Sequence, residues 1–161
     1  MEYLYVGIGE YAASRDPGKV IKTMALGSCV GVMMFDDSKG IFGLVHVALP
    51  DSSINLKRAQ DKPGSFADTG VPALLRAMQK AGYDGKSRLV VKLAGGASIM
   101  DPNNTFNIGK RNILAIKKSL WGYRLGAIAE DIGGTISRTV SIFVDTGKCV
   151  ISSPGRGEWE L

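Results

Sequence analysis

Short strand-like segments separated by turn residues fill the first fifty positions, and no other feature of this sequence restricts its fold as strongly. Turns are predicted at Asp16-Pro17-Gly18 and at residues 36–40, where Asp, Ser, Pro and Gly favour tight reversals of the chain. The segments cover residues 3–8, 19–26, 29–35 and 41–49. Because the connections are short, we expect mostly antiparallel pairing and a β-rich opening.

Two segments in the middle of the chain have the periodicity of amphipathic helices. The first has apolar residues at positions 71, 74, 75 and 78. Either Asp68 or Thr69 can cap its N-terminus, and Gly82 can end it. The second begins at an Asn107 cap and has apolar residues at positions 113, 116 and 120 on one face. Residues 51–65 are polar and are expected to form a long exposed loop.

The remaining strand patterns complete the fold prediction. They lie at residues 89–94, 125–129, 139–144 and 149–152. About seven strands with two main helices predict an α+β layered sandwich that has the helices on one side. The length of 161 residues fits a single domain over residues 1–161.

Charge and apolar runs argue against several classes of protein. Lys and Arg number 20 against 15 Asp and Glu, giving +5, but the basic residues are spread out without interleaved aromatic residues. Nucleic-acid binding is therefore not expected. The sequence has no leader pattern and no apolar run near the ~20 residues of a membrane span, so membrane insertion is not expected either. Two cysteines without C-x-x-C spacing suit a reducing compartment, which predicts a cytoplasmic protein.

The sequence contains one histidine, His46, so any mechanism that needs an imidazole must use it. Of the two cysteines, Cys149 lies in an alternating strand pattern where a buried thiol packs well, whereas Cys29 follows Gly27 and Ser28. Glycine permits a tight turn there, so the amides around Gly27 and Ser28 could bind an oxyanion. Cys29 and His46 are thus a candidate nucleophile and base, although ordinary core residues would explain them equally well.

Hairpin geometry adds a conditional prediction about this pair. If the turn is centred between Asp37 and Ser38, paired residues have numbers that sum to 75, and Cys29 faces His46. Directly opposed side chains lie on one face with Cβ atoms ~4.5–5.5 Å apart, which allows a thiol and an imidazole to interact. A slip of one residue would place them on opposite faces.

A third group must orient the imidazole, and a metal is a poorer explanation of the same residues. Thr23, Ser28, Asp51 and Ser52 are all candidates for a hydroxyl or carboxylate that accepts a hydrogen bond from the ring. Two cysteines and one histidine without local spacing do not form the ligand set of a zinc site. We therefore expect no metal.

Short motifs spread along nearly the whole chain carry a family resemblance. They are GIGEY at residues 7–11, TMALGSC at 23–29, GLVHVALP at 43–50, DKPG at 61–64, GGAS at 95–98, IGKRN at 108–112 and AEDIGG at 129–134. In this order they resemble the CheD family of chemoreceptor glutamine deamidases. One departure is Ala25, since the family favours glycine at that position.

The resemblance implies a cysteine hydrolase with an α/β/β layered fold. Its triad would be Cys29, His46 and Thr23, and it would deamidate glutamine side chains through a thioester and release ammonia, without a metal or organic cofactor. Its substrate would be the cytoplasmic helices of chemoreceptors, to whose membrane-bound arrays it would be recruited. A CheC-type phosphatase would regulate it by occupying the site as a receptor mimic. Two alternatives stay open: a non-catalytic adaptor that binds CheC or receptors, and a thiol deamidase acting on another protein.

Overall fold

The computed structural model describes residues 1–99, 103 and 105–161, and these residues contain ten strands in two five-stranded sheets. In chain order the strands are β1 (Glu2–Tyr5), β2 (Tyr11–Ser14), β3 (Lys19–Leu26), β4 (Val30–Asp36), β5 (Ile41–Val47), β6 (Val90–Gly95), β7 (Ala127–Ile132), β8 (Arg138–Phe143), β9 (Lys148–Ser153) and β10 (Gly157–Glu160). The helices are α1 (Leu56–Asp61), α2 (Ala67–Lys80) and α3 (Ile108–Gly122). The first sheet has the order β1-β3-β8-β9-β10, and the second has the order β2-β5-β4-β6-β7.

Strand β4 shows how the layers are stacked, because all seven of its residues are buried. Val32 and Met34 pack with helices α2 and α3, whereas Met33 and Phe35 pack with residues of the first sheet. Alternate side chains of a strand point to opposite faces. The second sheet therefore lies between the two main helices and the first sheet, which confirms the α+β layered sandwich with both helices on one side.

The predicted pairing of Cys29 with His46 is wrong by two positions. His46 lies opposite Gly31, and the residue numbers of each pair in the β4–β5 hairpin sum to 77. The turn takes four residues, 37–40, between the closing pair Asp36 and Ile41, whereas the prediction assumed a turn centred between residues 37 and 38. Because the side-chain period is two, a shift of two keeps residue positions on the same face. Cys29, one residue before β4, is thus a diagonal neighbour of His46 and not its partner.

The segment predicted as a long loop contains helical structure. Residues 52–54 and 63–65 form 3₁₀ turns on either side of α1, although most side chains of this segment remain exposed. The first turn and α1 are capped locally: Asp51 accepts from the Ser53 N–H at 2.8 Å, and Asn55 accepts from the Arg58 N–H at 3.0 Å. Side-chain caps of this kind were not included in the loop prediction.

The N-terminus of α2 also differs from its prediction. The helix begins after Phe66, two residues earlier than expected from an Asp68 cap, and Phe66 makes no side-chain cap. Asp68 instead accepts hydrogen bonds from the N–H and hydroxyl of Ser52, and the Thr69 hydroxyl donates to the Pro63 carbonyl. Both predicted caps therefore fasten the preceding segment to the helix.

Candidate active site

The side chains of Thr23 and His46 meet between the two sheets. Thr23 lies on β3 of the first sheet and is 1% exposed, whereas His46 lies on β5 of the second sheet and is 3% exposed. Thr23 Oγ1 is 2.7 Å from His46 Nδ1 and donates to the Val6 carbonyl oxygen at 2.6 Å.

These two contacts fix the tautomer of the imidazole. The Val6 carbonyl oxygen can only accept, so it takes the single hydroxyl proton of Thr23. Thr23 Oγ1 then accepts from Nδ1–H of His46, and the lone pair of the neutral ring lies on Nε2. Nε2 is buried and has no hydrogen-bond partner in the part of the chain that the structure describes. His46 therefore presents an unused basic nitrogen.

Burial keeps both His46 and Cys29 uncharged at neutral pH. It lowers the pKa of His46 to about 4 and raises the pKa of the Cys29 thiol. No hydrogen bond joins the two side chains among those of the described residues. The structure therefore contains a neutral thiol and a neutral imidazole, and not a preformed thiolate–imidazolium pair.

Cys29 lies in a short connection between β3 and β4, which we call the nucleophile loop (residues 27–29). All three of its carbonyl oxygens accept hydrogen bonds, two from the segment that follows β6 and one from α3. The donors are the Ala97 N–H to Gly27 at 2.8 Å, Asn112 Nδ2 to Ser28 at 2.9 Å and the Gly96 N–H to Cys29 at 2.9 Å. By contrast, none of the hydrogen bonds of the described residues uses the backbone N–H of Ser28 or Cys29. The loop therefore has two backbone donors available for an anion.

Gly95 allows the close approach that supports this loop. Its φ is 112°, and a Cβ at this position would collide with the Cys29 carbonyl oxygen. Glycine at this position therefore lets the end of strand β6 pack directly against the backbone of the nucleophile loop. The GGAS motif could have suggested such a role, since consecutive glycines often permit backbone approach.

The other predicted candidates are placed apart from the imidazole. Asp51 is exposed and caps Ser53, Ser52 donates to Asp68, and Ser28 is exposed on the nucleophile loop. Of the four candidates for orienting the ring, Thr23 is the one that contacts it among the described residues. Reasoning from the residues alone left this choice open, whereas the family resemblance pointed to Thr23.

Cys149 has the environment of a core residue. Its side chain is 1% exposed, lies opposite Ile142 on β8 and packs in the cluster between the two sheets. Burial raises the pKa of its thiol to about 11. Such a thiol is inert at neutral pH, because the thiolate is the reactive form.

Two clefts lie beside these residues. One of about 160 Å³ reaches His46 between Tyr5, Ile8, Lys22 and Met24. The other, of about 280 Å³, is lined by Gly27 and Ser28 together with four residues between β6 and α3 and the first turn of α3. Met24, Tyr5 and Ile8 are exposed, so an apolar rim surrounds the entrance to the first cleft.

The described residues show neither a metal cluster nor a membrane helix. No group of three or more His, Cys, Asp or Glu side chains is arranged among them to hold a metal ion. None of their helices is long and apolar enough to cross a membrane.

Comparison with known proteins identifies one family. The model described as CheD chemotactic sensory transduction matches residues 48–153. The probable chemoreceptor glutamine deamidase CheD of Syntrophotalea carbinolica is 53% identical over 100% of both chains. The chemoreceptor glutamine deamidase CheD of Thermotoga maritima is 43% identical over 95% of this chain and 93% of its own. The probable chemoreceptor glutamine deamidase CheD 1 of Syntrophus aciditrophicus is 41% identical over 93% of each chain.

Proposed function

Because this chain belongs to the CheD family, we propose that it is a protein-glutamine glutaminase that converts glutamine side chains of chemoreceptors to glutamate, with Cys29 as nucleophile. The names of the relatives support the reaction and the substrate class. We treat residues 1–161 as one deamidase domain, since the relative from Syntrophotalea carbinolica aligns over its full length.

The observation that carries the proposal is the contact between Thr23 and His46. The hydrogen bond of 2.7 Å orients the imidazole and leaves Nε2 unprotonated, buried and without a partner among the described residues. A general base needs this state, since it must accept a proton from the nucleophile. Cys29 is the cysteine near this nitrogen, because its position lies diagonally across the β4–β5 pair from His46.

The first half of the reaction forms the thioester. Nε2 of His46 takes the proton of the Cys29 thiol, and the sulfur attacks the amide carbon of the substrate glutamine. The electron pair of the carbonyl moves to oxygen, where the N–H groups of Ser28 and Cys29 bind the resulting oxyanion. When the oxyanion collapses, the C–N bond breaks, and Nε2–H of His46 protonates the departing nitrogen as ammonia.

The second half releases the product. Nε2 of His46 takes a proton from water, and the hydroxyl oxygen attacks the thioester carbon. The same two N–H groups bind the second oxyanion. Its collapse breaks the C–S bond, returns the proton to sulfur and leaves a glutamate side chain on the substrate. Each step uses protons and electron pairs of side chains and water alone.

The oxyanion donors and the general base are expected to make separate contributions to the rate enhancement. Removal of one oxyanion donor lowers kcat about 10²- to 10³-fold in other hydrolases, and a positioned general base contributes about 10²- to 10⁴-fold. The Gly27 carbonyl, held by the Ala97 N–H, sets the direction of the Ser28 N–H, which is one of the two donors. The apolar rim formed by Tyr5, Ile8 and Met24 would hold the aliphatic part of the glutamine side chain.

The proposal also includes a regulator of the enzyme and its place in the cell. A CheC-type phosphatase would compete with receptors for the cleft at His46, and the enzyme would act in the cytoplasm while recruited to membrane-bound receptor arrays. Addition of such a phosphatase should raise the KM for a receptor fragment without changing kcat. A lower kcat with an unchanged KM would argue against competition at this cleft.

The test of the proposed function is mass spectrometry of a receptor cytoplasmic fragment incubated with the wild-type protein. We expect selected glutamines to become glutamates, whereas the glutamines of an unrelated protein stay unchanged. Binding of the fragment without conversion would favour the adaptor alternative. Equal conversion of both proteins would favour a thiol deamidase with another substrate.

A further inference from the structure

Asn112, on helix α3, connects the nucleophile loop to the end of strand β5. Its side chain is 0% exposed, and Nδ2 lies 2.9 Å from the Ser28 carbonyl oxygen and 3.0 Å from the Ala48 carbonyl oxygen. Carbonyl oxygens only accept hydrogen bonds, so the amide group must face them with both of its protons. One side chain therefore holds both the loop that carries Cys29 and the residue two positions after His46.

The hydrogen bond to Ser28 fixes the direction of the next backbone N–H. No peptide bond of the described residues is cis, and in a trans peptide the C=O and the following N–H point in opposite directions. Because the C=O of Ser28 points at Asn112, the N–H of Cys29 points away from it. The Ala97 N–H holds the Gly27 carbonyl at 2.8 Å and directs the N–H of Ser28 in the same manner.

The carbonyl oxygen of the Asn112 side chain has a different environment. Oδ1 is buried and has no hydrogen-bond partner among the described residues. An unpartnered buried oxygen lowers the free energy of unfolding, and a leucine of similar size would avoid that loss. The two donated hydrogen bonds, and not packing, therefore explain an asparagine at this position.

We infer that Asn112 is a positioning residue, which presets the Cys29 N–H to bind the oxyanion. The inference rests on the proposed function, since the Cys29 N–H that Asn112 positions is an oxyanion donor only in that reaction. Asn112 acts through the Ser28–Cys29 peptide and does not itself contact the substrate. Without its hydrogen bond, that peptide can rotate, and the Cys29 N–H leaves the direction in which the oxyanion forms. The hydrogen bond to Ala48 also holds the end of β5, the strand that carries His46, next to the nucleophile loop.

Two reactions of Cys29 separate this role from a general effect on the thiol. Alkylation by iodoacetamide forms a C–S bond and releases iodide without an oxyanion, whereas acylation by p-nitrophenyl acetate passes through a tetrahedral oxyanion and releases p-nitrophenolate. Both are measured in a Cys149→Ala background, so that Cys29 alone reacts. We expect Asn112→Leu to lower the acylation rate about 10- to 100-fold and to leave the alkylation rate within about threefold.

Two further variants keep the test decisive. Asn112→Ser adds no bulk to the core and retains one donor, so it is expected to fold and to lower the acylation rate by less than Asn112→Leu. Ile116→Val changes a fully buried residue of the same helix, and it should leave the ratio of the two rates unchanged. Equal losses in both reactions, or an unchanged acylation rate in a folded Asn112 variant, would overturn the inference.

The small ester also separates this inference from the proposed function. Acylation of Cys29 requires no receptor, so a selective loss in the Asn112 variants would stand even if no receptor glutamine were converted. Conversely, receptor conversion by wild-type protein with no selective loss in the variants would leave the proposed function intact and remove the role of Asn112.

Discussion

Thr23 Oγ1 lies 2.7 Å from His46 Nδ1 although the two residues belong to different sheets. The stacking of the sheets therefore sets the orientation of the imidazole, and Thr23 is held in turn by the Val6 carbonyl at 2.6 Å. A threonine hydroxyl fits this task because it can accept from the ring and donate to a carbonyl at the same time.

Replacement of Thr23 tests this orientation. Thr23→Val keeps the shape of the side chain but removes the hydroxyl, so Nδ1–H loses its acceptor and the tautomer is no longer fixed. We expect kcat on a receptor fragment to fall about 10²-fold or more, since positioned acid–base catalysis contributes that much. Thr23→Ser retains the oxygen and serves as the control. Equal activity of the two variants would contradict this account of the ring.

The alkylation rate of Cys29 should increase with pH, as it does for a thiol that is buried and uncharged at neutral pH. Burial raises the pKa of Cys29, so the thiolate fraction at rest should increase with pH throughout the neutral range. In the Cys149→Ala variant, the rate of alkylation by iodoacetamide is expected to rise continuously from pH 6 to above the ordinary thiol pKa of about 8.5. A plateau near pH 6 would instead indicate a thiolate–imidazolium pair.

The stability of the fold should decrease in weak acid because His46 is buried uncharged. Its pKa is lowered from 6.5 to about 4, so between these values the unfolded chain binds a proton that the folded chain does not. The stabilisation is complete above pH 6.5, is lost as the pH falls to about 4 and amounts to about 3 kcal/mol. Urea unfolding across this range should show the slope, and His46→Gln should lack it. An unchanged slope in His46→Gln would assign the effect to other groups.

Ala25 marks a position at which the fold prefers glycine. Its φ is 56°, within a register shift of β3 against β8 between Thr23 and Leu26. A left-handed conformation costs an L-residue about 1–2 kcal/mol that glycine avoids. We expect Ala25→Gly to raise the free energy of unfolding by about 1 kcal/mol, as measured by urea denaturation. Ala13→Gly, in a strand with ordinary backbone angles, is the control and should be destabilising.

Periodicity carried most of the fold prediction. Strand β3 begins and ends at the predicted residues 19 and 26, and both main helices lie where apolar residues recur at helical spacing. Strands β2 and β10 were missed, since their four-residue sequences, YAAS and GEWE, show no sustained alternation of apolar and polar residues. Strand edges elsewhere differ by one to three residues, as hydrogen bonding and not composition ends a strand.

Local sequence could not supply the long-range contacts of the site. The length of the β4–β5 turn changed the predicted pairing of His46, because Asp36 accepts from Ser38 and Lys39 and closes a four-residue turn. Without the family resemblance, the choice of Thr23 required the packing of one sheet on the other. Asn112 lies 84 positions from Ser28, so no spacing rule connects them.

The central claim, that Cys29 is the nucleophile of a receptor deamidase, is tested most directly by mass spectrometry of a chemoreceptor cytoplasmic fragment after incubation with single-cysteine variants. Cys29→Ala is expected to abolish conversion of glutamine to glutamate, whereas Cys149→Ala should convert the fragment at the wild-type rate. Undiminished conversion by folded Cys29→Ala, or its loss in folded Cys149→Ala alone, would contradict the claim.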